Sequence, residues 1–413
     1  MSSSRHNQIE TPPEWVGWLL FGALLASVLT QSQLVPGRLG SVLVIGMYGV
    51  LGLATLWVLS FHGWFDWLRQ DPPPRYATVA IAVIGALYVV HILGGNYQSP
   101  TNIVSGIAAI VIVSMNLFVL PRIIPLKWFL GVTAAVSALL VVVTIPLWFS
   151  AFVLPSLAPT VHYGTTATVS YNGWELSHLL SITENPNILA RILFVGFIAS
   201  LVRFQSSRDS FFAVLAGVNG IGLFWTQSRM TWAATLLAAG LLIAYRVGGR
   251  RLLIGAVGSA IVALASLLSV VVWLYSGGAE YVFSARPLLW DAATQAIAER
   301  PIIGHGLGDS AEMIAPYYES ERFAGDSVHN SYLRMGLIGG LIGLTAYVSV
   351  VVGSLIDYLR RPEVNPGLVA LAVGFLAIQL MESHMIVGYE APSVLNALVV
   401  GYLVTEGVAG TSG

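Results

Sequence analysis

The sequence contains no cysteine and very few charged residues. Without thiols, disulfides, zinc–thiolate sites and iron–sulfur clusters are excluded. Charged residues make up 9% of the 413-residue chain and hydrophobic residues 56%, whereas soluble domains carry about 25% charged residues. The formal net charge of −1 also excludes a broadly basic surface for nucleic acid. The composition therefore predicts a membrane protein.

Long apolar runs predict the fold class. A transmembrane helix needs about 20 mostly apolar residues to cross about 30 Å of hydrocarbon. On that length the sequence predicts about twelve spans: 15–31, 39–61, 77–94, 102–121, 127–150, 188–203, 210–227, 230–246, 252–276, 332–356, 367–386 and 390–406. We therefore expect an all-α polytopic membrane protein, with a tight hairpin between the seventh and eighth spans.

Basic residues predict the orientation. Twelve of the nineteen lysines and arginines fall in the loops on one side of this arrangement: Arg5, Arg69, Arg75, Arg122, Lys127, Arg203, Arg208, Arg246, Arg250, Arg251, Arg360 and Arg361. Since cytoplasmic loops carry the excess of lysine and arginine, we expect a multi-pass protein of the plasma (inner) membrane with its amino terminus in the cytoplasm. Three regions follow: helices 1–9 in 1–276, a long outer loop in 277–331, and helices 10–12 in 332–413.

The long loop is the main polar segment of the chain. Pro287 and apolar residues at helical spacing over 289–297 predict a short amphipathic helix that ends before Pro301 and lies along the membrane surface. The glycine-rich sequence GHGLGDS at 304–310 then predicts a turn with positive φ angles. Its glycine spacing is superficially that of a dinucleotide fingerprint, but no βαβ unit surrounds it.

Several ionisable residues fall at the predicted outer membrane boundary. An ionisable side chain at membrane depth costs a few kcal/mol, so it tends to face a cavity or a partner. Arginine matches phosphate oxygens with a planar fork of donors, and histidine exchanges a proton near neutral pH. The candidates are Arg191, Arg229, Arg286, His305, His329, Asn330 and Glu382.

Structural roles for these residues stay open at this point. Arg191 is compatible with snorkelling to the interface. Arg229 is compatible with an ion pair to Glu184 or Glu382, and Glu382 is more consistent with an arginine partner than with a catalytic acid. The outer loops contain no acidic cluster for a metal ion, so arginines would have to stabilise a phosphate leaving group instead.

Three motifs occur in order: SRMTWAA at 228–234, RPLLWDAATQAIAERPIIGHGLG at 286–308 and HNSYLRMGLIGG at 329–340. In these motifs the chain resembles the O-antigen ligase and polymerase superfamily. The resemblance implies a GT-C-like, metal-independent glycosyltransferase without cofactor, which moves a glycan from a polyprenyl (di)phosphate carrier to a glycan, lipid or protein acceptor on the outer face. By the same resemblance, Arg229 and Arg286 correspond to phosphate-contacting arginines and His329 to the catalytic histidine.

Further residues are expected at the site, and two other functions are compatible with the sequence. Arg191 is added to the phosphate site because of its membrane depth, and Asn330, Glu382 and His305 are expected to support it. The alternative function is a transporter or flippase for an anion or a lipid-linked sugar, and a third is a non-catalytic scaffold. Transporters show broken helices near the midplane. The sequence shows neither a broken helix near the midplane nor a repeat in two halves, and the glycines at 336–343 are explained by close helix packing.

Overall fold

The computed structural model describes residues 14–35, 37–62, 72–153, 164–171, 174–275, 286–318 and 325–409. Most of them are helical. The α-helices are α1 (Glu14–Leu29), α2 (Gly37–His62), α3 (Arg75–Leu93), α4 (Pro100–Ser114), α5 (Leu120–Ile123), α6 (Leu126–Val153), α7 (Pro186–Ser207), α8 (Ser210–Trp225), α9 (Arg229–Tyr275), α10 (Arg286–Glu299), α11 (Ser310–Ile314), α12 (Ser331–Arg360), α13 (Pro366–Gln379) and α14 (Ala391–Ala409). A π-helical turn, Met115–Val119, joins α4 to α5, and a 3-10 turn, Ala315–Tyr317, follows α11.

Among the described residues, seven helices are long and apolar enough to cross a membrane: Arg38–Trp57, Arg75–Leu93, Pro100–Ile123, Leu126–Pro146, Pro186–Ser207, Arg229–Ser266 and Ser331–Arg360. The helices α1, α8, α13 and α14 contain shorter apolar stretches. The prediction of a largely helical membrane protein is thereby confirmed, while the count of twelve spans stays a prediction. The helix α9 covers two predicted spans, and its backbone leaves helical geometry between them at Gly248 and Gly249.

The core lies where α7, α13 and α14 meet. Every residue of α13 from Gly367 to Gln379 is buried. Glycines allow the close approach: a Cβ at Gly374 would lie 2.3 Å from the ring of Phe194 on α7. Peripheral helices, in contrast, expose large apolar side chains, such as Leu236 on α9. Apolar side chains therefore lie both in the core and on the outer surface, which a lipid environment permits.

An antiparallel hairpin departs from the all-α prediction. The strands β1 (Gly164–Tyr171) and β2 (Trp174–Ser181) pair with Val169 opposite Leu176. The region 151–187 was expected to be an outer loop. The dipeptide Asn-Gly at 172–173 lies between two stretches rich in threonine, valine and aromatic residues, which is a strong hairpin signal. The span prediction depends on long apolar runs and does not detect this signal.

The helix α12 is broken at Gly340, which has φ 59° and ψ −157°. The loop after α10 fills the break with backbone hydrogen bonds. The N–H groups of Leu341 and Ile342 donate to the carbonyls of residues 301 and 302 at 2.7 and 3.3 Å, and the N–H groups of residues 305 and 306 donate to the carbonyls of Leu337 and Ile338 at 2.7 and 3.2 Å. Four of the backbone groups that the break frees are therefore paired.

The two halves of α12 fold back on each other. The rings of Tyr332 and Tyr347 lie 6.0 Å apart, although fifteen residues of straight helix would separate them by about 22 Å. A Cβ at Gly343 would lie 3.5 Å from the carbonyl oxygen of Met335. The expectation that close helix packing alone explains Gly340 is therefore wrong. The packing explanation does apply to Gly339, where a Cβ would lie 3.2 Å from the Leu87 side chain of α3.

Candidate functional site

One end of the bundle collects polar side chains from four segments that are distant in sequence. They are the second turn of α7, the start of α10, the residues before α12 and the loop between α13 and α14. The helix α13 ends at Gln379, before the predicted end of that span at 386. Glu382 and His384 consequently lie in a loop beyond the helix rather than in a span.

Glu382 is the centre of this group. Its Oε1 accepts from Nη2 of Arg286 at 3.0 Å, and its Oε2 accepts from Nη1 of Arg191 at 3.3 Å. Nδ1 of His329 lies 3.7 Å from Oε2. Glu382 thus pairs with two guanidinium groups, Glu390 adds a second negative charge near Arg191, and Arg334 adds a third guanidinium beside the loop. One positive charge therefore remains in excess at the site.

The same neighbours keep Glu382 ionised. Burial alone would raise the pKa of this carboxyl, but the charge of Arg191, the contact with His329 and the charge of Arg286 together hold its pKa below its usual range. A carboxylate that stays charged at neutral pH can orient the imidazole of His329 and stabilise its protonated form.

Behind Glu382, a second layer of side chains fixes Arg191. Nη1 of Arg191 donates to Nδ1 of His384, so the proton of that imidazole sits on Nε2. Nε2 of His384 lies 3.3 Å from Nε2 of Gln31. Two N–H groups cannot bond to each other, so we assign the amide with its nitrogen and oxygen exchanged, which makes the oxygen of Gln31, otherwise unpaired among the described residues, the acceptor. Burial and the positive charge of Arg191 lower the pKa of His384 well below its usual range. The neutral ring that the donor geometry requires is therefore also the favoured one.

The segment that carries His329 is clamped to the loop that carries Glu382. Asn330 caps α12 through its Oδ1 and donates from Nδ2 to the carbonyl of Leu380 at 3.0 Å. Ser331 Oγ donates to the carbonyl of Glu382 at 2.6 Å, and Arg334 Nη1 donates to that of Ser383 at 2.9 Å. These bonds fix the spacing between His329 and Glu382.

His329 itself has a left-handed backbone, with φ 46°. For a residue other than glycine this conformation costs about 1–3 kcal/mol and persists where the surroundings enforce it. Here the helix cap at Asn330 follows directly. The hydrogen bonds of Asn330, Ser331 and Arg334 to the loop after α13 therefore hold His329 in this conformation. Such outliers cluster at functional sites.

Arg286 and His329 are the members that a ligand can reach. Their side chains are 20% and 31% exposed, whereas that of Arg191 is 2% exposed. Trp290 holds α10 against this segment, because its Nε1 donates to the carbonyl of Val328 at 3.0 Å. The burial of Arg191 does not agree with its predicted direct contact with a phosphate.

Two other predicted residues lie apart from Glu382. Arg229 is exposed at the start of α9 and makes no ion pair or hydrogen bond with a described residue, so neither predicted partner, Glu184 or Glu382, holds it. Its neighbour Met230 packs against the apolar cluster that contains Trp290, so Arg229 lies beside α10. Nε2 of His305 donates to the carbonyl of Ala296 at 2.6 Å, which ties the glycine-rich loop to α10.

No described group of three histidine, aspartate or glutamate side chains is arranged to hold a metal ion. Two apolar cavities of about 10 Å³ each lie among α1, α2, α5, α6, α7 and α14, away from Glu382. Each has room for about one water molecule, so neither is a substrate site.

The sequence did not indicate the second layer. Gln31 and His384 are 353 residues apart, and no local pattern links them. Arg334, which donates to the carbonyl of Ser383, was also not predicted at the site. Its position five residues after His329 in the third motif is the one signal that could have indicated this role.

Comparison with known proteins identifies the domain. Residues 211–348 match the family model described as O-antigen ligase (Wzy_C), and this segment contains all three sequence motifs. No curated protein matches the chain. The match indicates a membrane function of the glycan ligase or polymerase type, with a lipid-linked glycan and an acceptor as partners. Residues 211–348 therefore match the O-antigen ligase family, which supports the resemblance to the O-antigen ligase and polymerase superfamily.

Proposed function

We propose that the protein is a membrane glycosyltransferase that moves a glycan from a polyprenyl (di)phosphate carrier to an acceptor on the outer face of the plasma membrane. The observation that carries this proposal is the convergence of Arg286 and His329 on one buried carboxylate, Glu382. The family match supports the reaction class.

The excess positive charge suits a carrier phosphate. Arg191 and Arg286 share Glu382, and Arg334 lies one hydrogen bond away on the carbonyl of Ser383. Arg286 is the partly exposed member and Arg229 is exposed nearby, so we assign the phosphate contacts to these two. Buried Arg191 positions Glu382 instead.

His329 is assigned as the general base. With Nδ1 facing Glu382, its Nε2 takes the proton of the acceptor hydroxyl. The hydroxyl oxygen forms a bond to the anomeric carbon, the bond from that carbon to the phosphate oxygen breaks, and the phosphate leaves with the electron pair. Glu382 stabilises the imidazolium, as the third group of a catalytic triad does.

Arg286 and Arg229 act on the leaving group. Negative charge grows on the phosphate as the bond breaks, and fixed guanidinium groups stabilise it more in the transition state than in the ground state. In this proposal they take the role that a divalent metal has in other transferases, so the reaction is metal-independent.

The side of the membrane follows from charge. The site lies at the end of α7 that begins at Pro186 and the end of α12 that begins at Ser331, whereas Arg203 and Arg360 lie near the opposite ends of these two helices. Because lysine and arginine mark the cytoplasmic side, we place the site on the outer face and the amino terminus inside.

One observation favours the transporter alternative: the helix α12 is broken. In transporters such breaks sit near the midplane. Here the residues after Gly340 number about 20, enough to span the hydrocarbon without the first half. The break therefore lies at one edge of the span, and this position favours a transferase.

Product analysis separates the two functions. Purified protein is incubated with a lipid-linked oligosaccharide and candidate acceptors, with chelator present, and the products are followed by mass. We expect a glycosylated acceptor together with free polyprenyl (di)phosphate, at the same rate with and without chelator. Uptake into liposomes without any glycosylated product would overturn the transferase assignment.

A further inference from the structure

An apolar patch lies on a loop that the sequence places in water. Ile302 and Ile303 follow α10, and their side chains are 64% and 39% exposed. They lie beside Leu341 and Ile342 at the break in α12, which are also exposed, because Ile342 N–H donates to the carbonyl of Ile302. Four neighbouring aliphatic side chains thus form one exposed surface, which we name the apex patch.

The apex patch is continuous with the apolar surface of membrane-spanning helices. Nε2 of His91, in the last turn of α3, contacts the carbonyl of Ile303 at 2.8 Å. On that helix Val89, Val90 and Leu93 are exposed. The helix α3 and the second half of α12 have 19 and about 20 residues, and each length equals the hydrocarbon thickness of about 30 Å. Both helices therefore place the apex patch at the edge of the hydrocarbon.

The backbone of this loop meets the requirement of an apolar environment. In hydrocarbon, carbonyl groups need partners within the protein. The carbonyls of residues 300, 301, 302 and 303 accept, in order, from Gly304 N–H, Leu341 N–H, Ile342 N–H and the His91 imidazole. The pairing of four consecutive carbonyls is not needed in a loop surrounded by water.

We propose that the apex patch, Ile302, Ile303, Leu341 and Ile342, is embedded in the acyl-chain layer of the bilayer. Its partner is lipid. The buried His91, which has no part in the transfer mechanism, serves as the donor that allows a loop carbonyl to enter this layer. Because the first half of α12 folds back from Gly340 towards Tyr347, the His329 segment then lies recessed beneath a lipid-facing rim.

The absence of native cysteine makes a direct test possible. Single-cysteine variants are labelled with a nitroxide and reconstituted in phosphatidylcholine–phosphatidylglycerol vesicles. Collision with oxygen, which concentrates in acyl chains, is compared with collision with a water-soluble nickel chelate. The matched controls are Leu236→Cys, exposed on the long apolar helix α9, and Glu312→Cys, exposed on α11.

The expected result is that the label at Ile302→Cys behaves as the label at Leu236→Cys does, with oxygen collisions dominating. A nickel-chelate accessibility equal to that of the Glu312→Cys label would overturn the proposal. Circular dichroism and size-exclusion elution equal to those of the unlabelled protein establish that the labelled variants are folded. The readout does not depend on glycosyl transfer.

Discussion

At the scale of single residues, Glu382 determines the electrostatics of the site. The sequence shows Arg191, Arg286 and Glu382 as separate ionisable residues near the membrane boundary, and that much was predictable. Which arginine pairs with which acid depends on how α7, α10 and the loop after α13 pack, and no local pattern encodes it. For this reason Arg191 was expected to bind substrate, whereas it is buried against Glu382.

Removal of the Glu382 charge should destabilise the fold. In Glu382→Gln the guanidinium of Arg191, only 2% exposed, loses its anionic partner, and breaking a buried pair in this way costs about 3–5 kcal/mol. We expect a lower thermal unfolding midpoint in detergent, partly recovered when Arg191→Met is added. The control Glu312→Gln changes an exposed acid and should leave the midpoint unchanged. An unaltered midpoint for Glu382→Gln would show that the pair contributes nothing.

The stability of the protein should depend on pH through His384. Burial and the positive charge of Arg191 hold the pKa of the His384 imidazole in the folded protein well below its ordinary value of 6.5, so below pH 6.5 the unfolded chain binds a proton that the folded protein excludes. The free energy of unfolding then decreases by about 1.4 kcal/mol per pH unit as the pH falls further, until the folded pKa is reached.

The variant His384→Asn isolates this effect, because its amide oxygen can replace Nδ1 as the acceptor for Arg191 but does not titrate. Thermal unfolding midpoints are measured between pH 7.5 and 5.5. The decrease on acidification should be smaller in the variant than in the wild type. Parallel curves for the two proteins would contradict the assignment of a buried neutral His384.

At the scale of elements, length and hydropathy located the helices well and located their breaks poorly. Each predicted span overlaps a described helical segment, although the helix in 367–386 ends at Gln379 and that in 332–356 is broken at Gly340. The fold-back of α12 was missed because the glycines at 336–343 also fit simple close packing. The distinguishing feature is the φ of 59° at Gly340, which is a property of the backbone and follows only once the loop after α10 is in place.

Gly340→Ala should disrupt the backbone hydrogen bonds between the loop after α10 and α12. Its φ and ψ lie in a region that essentially only glycine occupies, and a Cβ would lie 2.4 Å from the carbonyl of Ile302. We expect a loss of stability of more than about 1–3 kcal/mol, measured by thermal unfolding, and reduced transfer activity. Gly255→Ala in α9 is the matched control, since a Cβ there meets nothing within 4 Å. Equal midpoints for the two variants would contradict the role of Gly340.

At the scale of the whole molecule, the motifs of the second half indicated the family, and the match over 211–348 agrees. The residues that complete the site come from outside that segment: Arg191 on α7, Glu382 and His384 after α13, and Gln31 after α1. The matched segment thus contains Arg286 and His329, and the rest of the bundle supplies the carboxylate that both contact. Because these contacts join residues distant in sequence, the motifs did not reveal them.

The most direct test of the account is the single-turnover rate of glycan transfer by purified His329→Ala, compared with that of Arg300→Ala. Arg300 is an exposed cation in the same region. If His329 is the general base, its loss should lower the rate by about 10²–10⁴-fold, while Arg300→Ala transfers at the wild-type rate. Both proteins should elute and unfold as the wild type does. Wild-type transfer by folded His329→Ala would contradict the account.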